Sequence, residues 1–234
     1  MNADLPFYVT AVFVLTTLLT IGFLFYSFRG IKPPGIPSQI PSFLLPFWLI
    51  VTGFLAINGT YAQFGAFPPK VFLLGVLPAV ATILVYFLFF RTSFIERLSL
   101  KALTWLHVVR IPVEFVLLWL FQHGLVPQIM TFEGRGFDIL SGLTAPIVAL
   151  LAFRGNKINR VLLIAWNLVA LGLLANIVII ALLSFPSPVQ RFGFEQPNIG
   201  VAYFPFIWLP AIIVPVVLFS HLAALWKLFR GQTS

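Results

Sequence analysis

The 234 residues are 60% hydrophobic and only 9% charged, far from the balance of a soluble domain with a wet surface, so a bilayer is the solvent that this composition fits. Cysteine is absent, which excludes disulfides, thiolate metal sites and cysteine nucleophiles. The formal charge of +8 does not point to nucleic acid, because the basic residues fall in loops between apolar runs.

The expected fold is an all-α integral membrane protein forming one transmembrane domain of seven helices. The first run, 5–28, follows Asp4 and no cation, and is too long for the hydrophobic stretch of a signal peptide, so it reads as a retained helix. Six further runs follow at 43–63, 71–90, 102–122, 138–153, 161–184 and 203–226. Seven such spans occupy nearly the whole chain and leave no room for a separate soluble domain.

Orientation follows from the cations, which are retained on the cytoplasmic side. One side carries Arg29, Lys32, Arg91, Arg97, Lys101, Arg154, Lys157, Arg160, Lys227 and Arg230. The other carries Lys70, Arg135 and Arg191, and Arg110 lies inside the fourth span. With an odd number of crossings, the N-terminus is expected outside and the C-terminus in the cytoplasm of a plasma or inner membrane.

Local signals mark several helix ends. Ser93 and Glu96 have capping-box spacing ahead of the fourth helix, Gly155 is a stop for the fifth, and Asn159 is a cap for the sixth. Gly142, Ala145, Ala149 and Ala152 give the fifth helix a smooth face for close packing. Aligning 48–58 with 166–176 matches Trp, Val, Leu and Asn, and the third and seventh helices both carry internal prolines, at Pro78 and at Pro210 and Pro215. A three-plus-one-plus-three arrangement of parallel repeats follows as an expectation.

Ionisable side chains are costly in hydrocarbon and mark the bundle interior. Only the fourth run carries them deep within its span. His107, Arg110 and Glu114 recur on one helical face, and Pro112 among them would free the carbonyl of Val108. This face is expected to line a polar cavity, with Asn58 and Asn176 as further lining groups; packing ion pairs and interhelical amide bonds are the structural alternatives. His107, Asn167 and His221 each lie about six residues from the cytoplasmic boundary of their helices, so at about 1.5 Å per residue they share one layer. Two histidines at that depth raise haem ligation as a possibility, although no attachment motif accompanies them.

The connection after the fourth helix concentrates His123, Glu133, Arg135 and Asp138, with Gly124, Gly134 and Gly136 allowing tight turns. It reads either as a ligand clamp or as a surface loop in which Asp138 caps the fifth helix. The last helix has no central lysine for a Schiff base, and there is no phosphate-binding glycine loop, zinc motif or nucleophile elbow.

The leading expectation is therefore binding or transport of a small solute through a polar cavity centred on the fourth helix. A membrane enzyme acting on a lipid or isoprenoid, with His107, His123, Glu114 and Asp138 as acid, base or metal groups, is the first alternative. A non-catalytic subunit or sensor is the second. No cofactor and no metal centre are expected beyond the haem possibility, and the partners are the bilayer and an unidentified small molecule.

Overall fold

The computed structural model describes residues 5–31, 35–155 and 158–231; Asp4, Lys32 and Lys157 lie outside them. The described residues are all-helical. They form α1 (Phe7–Phe28), α2 (Ile36–Ile57), α3 (Phe72–Phe89), α4 (Leu100–Gln122), α5 (Ile139–Ala152), α6 (Arg160–Leu183) and α7 (Leu209–Phe229). Six of these are long and apolar enough to cross a membrane, and α5 is a shorter apolar helix of 14 residues. The architecture is consistent with a helical membrane protein, and the outward faces carry large apolar side chains such as Phe43, Ile50, Leu150 and Val169.

Burial separates an inner from an outer set. In α4 and α7, 61% and 72% of the most apolar stretch is buried, against 22% and 17% in α2 and α3. The two central helices also carry the buried His107, Arg110, Glu114, His221 and Lys227, as expected where hydrocarbon would penalise them, and buried Asp138 stands at the start of α5.

The chain ends of the helices sort into two faces. At one end, Ser99 N–H donates to the Ser27 carbonyl at 2.8 Å, Asn159 N–H to Ala152 at 2.9 Å, and Arg160 to the Leu228 carbonyl. Arg230 pairs with Glu96 there at 3.4 Å, and Arg29, Arg91, Arg97, Lys101, Arg154 and Lys227 all belong to the same end. At the other end, Gln196 donates to the Phe121 carbonyl at 2.8 Å, Gly200 N–H to Leu125 at 2.8 Å, and Asn176 to Arg135 at 2.9 Å. Lys70, Arg135 and Arg191 are the basic residues of this cation-poor end.

Several local expectations hold. Asn159 Oδ1 caps α6 by accepting from Leu162 N–H at 3.1 Å, and Gly155 takes φ +65° just after α5, the left-handed conformation that suits a glycine beyond a helix end. Others are corrected. α2 begins at Ile36 and ends at Ile57, because Pro37 sits harmlessly in its first turn and the helix runs on through Pro41 and Pro46. Asn58 therefore follows the helix as its exposed C-cap rather than lying inside it. α4 is capped by Ser99, whose Oγ accepts from Ala102 N–H at 3.3 Å; Glu96 instead lies in a separate turn, Ile95–Arg97. α7 starts at Leu209, six residues later than hydropathy places it, after the short turn Gly200–Ala202 and extended Tyr203.

α3 and α7 share an unexpected feature. Each opens with a widened π-turn, Phe72–Val76 and Leu209–Ile213, followed at once by an α-helix with proline at its second position, Pro78 and Pro215. One constant offset in sequence relates both turns, both prolines and the preceding pairs Phe67-Pro68 and Phe204-Pro205. The two turns meet: a Cβ added at Gly75 would lie 3.6 Å from Ala211 Cβ. The Tyr61 hydroxyl donates to the Leu74 carbonyl within the first turn at 3.4 Å, and burial pushes that phenol up to about 12, so it remains a donor. The alignment of 48–58 with 166–176 does not superpose in this way, since Asn58 closes α2 while Asn176 lies inside α6.

Candidate functional site

α4 is not one continuous helix. A 3-10 turn, His107–Val109, interrupts it between Leu100–Leu106 and Arg110–Gln122, next to Pro112, which cannot supply the N–H of a regular ladder. His107, Arg110 and Glu114 remain on one face and are all buried, with exposures of 1%, 2% and 1%.

The smooth face of α5 packs on this interrupted segment. A Cβ at Gly142 would come within 2.8 Å of Ile111 Cγ1 and 3.0 Å of Ile111 N, so only glycine permits this approach. The approach also brings the start of α5 down to Arg110. Asp138 stands at the N-cap position of α5 but makes no cap hydrogen bond; its Oδ1 lies 3.2 Å from Arg110 Nη1 as an ion pair. Arg110 Nη1 also donates to the Ala170 carbonyl of α6 at 3.3 Å.

The connection 123–138 is what places Asp138 at that depth. Its buried Val126, Met130 and Thr131 fold back so that the turn Gln128–Met130 lies against the Arg110–Gln122 segment of α4 and against α6, and Gly134 and Gly136 press against the backbone of Gln128–Thr131, where any Cβ would fall under 3.0 Å from a carbonyl oxygen. Irregular backbone is acceptable at such a level when protein covers it. Glu133 and Arg135 point outward and are exposed, Asn176 bonds the Arg135 carbonyl, and half-buried His123 holds its own helix through Nδ1 and the Trp119 carbonyl at 2.7 Å. Of the residues singled out in the sequence, the structure thus gathers Arg110, Glu114 and Asp138; Asn58, Asn176, His123, Glu133 and Arg135 stand elsewhere.

His107 and His221 meet in a second, adjoining cluster. Their rings stack at 3.9 Å between centroids and 21° between planes, with Trp166 against both. Asn167 Nδ2 donates to the Leu163 carbonyl, which leaves its Oδ1 to accept from His221 Nδ1–H at 2.8 Å. Ser220 spends its hydroxyl proton on the Val217 carbonyl and so accepts from His107 Nε2–H at 3.1 Å. The expected layer of His107, Asn167 and His221 is formed, and each ring keeps one buried nitrogen, His107 Nδ1 and His221 Nε2, without a partner among the described residues. Axial haem ligands approach iron end-on from opposite sides of a macrocycle, whereas these rings lie face to face. The pair as arranged does not fit that role. Among the described residues, no group of three His, Asp or Glu is placed to hold a metal ion.

A cavity of about 180 Å³ opens beside the first cluster, between α3, α4, α6 and α7. Glu114 and Asp138 line it, together with Asn198 from the loop before α7, and the remaining walls are apolar, among them Val113, Leu174 and Leu209. Glu114 Oε2 and Asn198 Oδ1 are buried with no hydrogen-bond partner among the described residues. So are Arg110 Nε and Nη2 and Ser141 Oγ close by. Native proteins pair nearly all such groups, and a run of orphans in one place marks a site for water or ligand. Asn198 and Ser141 escaped sequence reading because single neutral polar residues are common in membrane helices and loops.

A family model, described as a domain of unknown function (DUF8737), matches residues 68–229. The chain belongs to this family. The DUF8737 segment runs from the entry of α3 to the end of α7, and so contains every residue of both clusters and of the cavity's polar lining while leaving out α1 and α2. No curated protein and no solved structure matches the chain.

Proposed function

We propose that the protein is a seven-span membrane protein that binds or carries a small solute in the cavity lined by Glu114 and Asp138. The observation that carries this reading is Glu114 Oε2, a buried carboxylate oxygen of a cavity-lining residue with no donor among the described residues. A group held that way requires an occupant, because an unpaired buried acceptor costs about 1–3 kcal/mol and more when charged.

α5 acts as the seventh span in this reading. Its 14 residues rise about 21 Å, short of the hydrocarbon thickness of about 30 Å, and the covering connection 123–138 supplies the rest. The cation-rich end faces the cytoplasm of the plasma or inner membrane and the N-terminus lies outside. The matched π-turns and prolines support a duplicated origin for α3 and α7, and with them the three-plus-one-plus-three arrangement.

The test is uptake by purified protein in liposomes, measured with a solute library and an imposed pH gradient. Uptake of at least one solute is expected, and Glu114→Gln is expected to abolish it. Full uptake by that variant removes Glu114 from the role, and no uptake or binding of any solute by the parent protein removes the reading.

A further inference from the structure

Resting on the solute-binding reading, we infer that the occupant is a small amphipathic amine and that it reaches the cavity sideways, from the lipid between α3 and α6. The buried atoms of lining side chains that lack a hydrogen-bond partner among the described residues are all acceptors: Glu114 Oε2, Asn198 Oδ1 and Asp138 Oδ1, the last of them ion-paired with Arg110. Acceptors of this kind call for a donor-rich group, and a hydroxyl supplies one proton where an ammonium supplies three.

Charge points the same way. Two carboxylates, Glu114 and Asp138, share the single guanidinium of Arg110, and all three side chains are at least nine-tenths buried. Arg110 Nη1 is engaged by Asp138 and Ala170, and among the described residues Glu114 has no ion-pair partner within 4 Å. A cation beside Glu114 balances the cluster, whereas an anion there would add a third negative charge where water cannot screen it.

The walls set the rest of the molecule. Apart from those polar groups the lining is aliphatic and aromatic, which suits an alkyl or aryl body. A volume of about 180 Å³ lies below the usual range for drug-sized ligands, so the body is short. The most exposed wall residues are Phe72 of α3 and Val178 and Leu182 of α6, each about 40% exposed on helix faces that otherwise carry large apolar side chains. A mouth made of such residues admits a solute that already partitions into the bilayer.

The experiment uses the full chain in nanodiscs with n-hexylamine as probe and 1-hexanol and hexanoate as controls. A photoreactive diazirine analogue of hexylamine maps the site by mass spectrometry. Labelling is expected on the α6 and α7 cavity walls, competed by hexylamine at least tenfold better than by either control. Glu114→Gln and the cavity-filling Leu174→Trp are each expected to remove it, the second without touching a charge. Val178→Trp at the mouth is expected to slow labelling several-fold.

Equal competition by hexanol or hexanoate overturns the amine, and an unchanged labelling rate in Val178→Trp overturns lateral entry. Labelling that survives both Glu114→Gln and Leu174→Trp in folded protein places the amine elsewhere and overturns the site. If hexylamine fails while liposomes take up another solute in a Glu114-dependent way, this inference falls and the solute-binding reading stands. If neither binds, both fall.

Discussion

Arg110 is the residue on which the buried charges depend. Its guanidinium stands against Asp138 at 3.2 Å, with Glu114 one turn along the same helix. Removing one member of a buried pair strands the other charge, at a cost of about 3–5 kcal/mol, while replacing both with apolar groups of similar size is close to neutral. Arg110→Met is therefore expected to lower stability by about that amount in detergent unfolding. The double variant Arg110→Met/Asp138→Leu is expected to recover at least half of the loss. Equal stability of parent and Arg110→Met would show that the pair contributes no more than a surface contact. This face was legible in the sequence because three ionisable residues at helical spacing stand out in a hydrophobic run. The partner of Arg110 was not: Asp138 read equally well as a helix cap, and only the packing of α5 turns its carboxylate toward α4.

At the level of elements, close approach between α4 and α5 decides where the site forms. The small-residue stripe of α5 was readable as Gly142, Ala145, Ala149 and Ala152, but its counterpart was not, since a smooth face names no partner. That counterpart is the 3-10 turn and first residues after it in α4. Gly142→Leu inserts a side chain where even one Cβ meets Ile111 under 3.0 Å. Overpacking of this kind costs about 1–3 kcal/mol or more. The variant is expected to unfold earlier than the parent and to lose solute binding, whereas Leu143→Ala on the exposed side of the same helix is expected to change neither. Helix ends fared less well than helix existence. Hydropathy placed the second run at 43–63, yet α2 begins at Ile36, with Pro37 in its opening turn and Pro41 and Pro46 carried inside the helix. Hydropathy likewise extended α7 back to Tyr203, because an apolar loop packed inside the protein scores like a span.

For the whole molecule, alternation of apolar runs and cations was the strongest sequence signal, and the described cations of the two sides do gather at opposite ends of the bundle. The proposed orientation is checked directly because the chain has no cysteine of its own. Single cysteines at Gly30, on the cation-rich end, and Phe194, on the cation-poor end, are both exposed. A membrane-impermeant maleimide applied to intact cells is expected to label Phe194→Cys and to leave Gly30→Cys unlabelled until the membrane is opened; the reverse pattern inverts the topology. The paired π-turns carry a consequence for chain length. A π-turn holds one residue more than the α-turn it replaces, so removing a single residue from Phe72–Val76 or Leu209–Ile213 restores ordinary winding while both flanks keep their facing. The same deletion in the middle of α6 swings everything beyond it by about 100°. A scan of one-residue deletions, read by membrane expression, is expected to find two tolerant islands, one at each π-turn, in helices that otherwise accept no shortening.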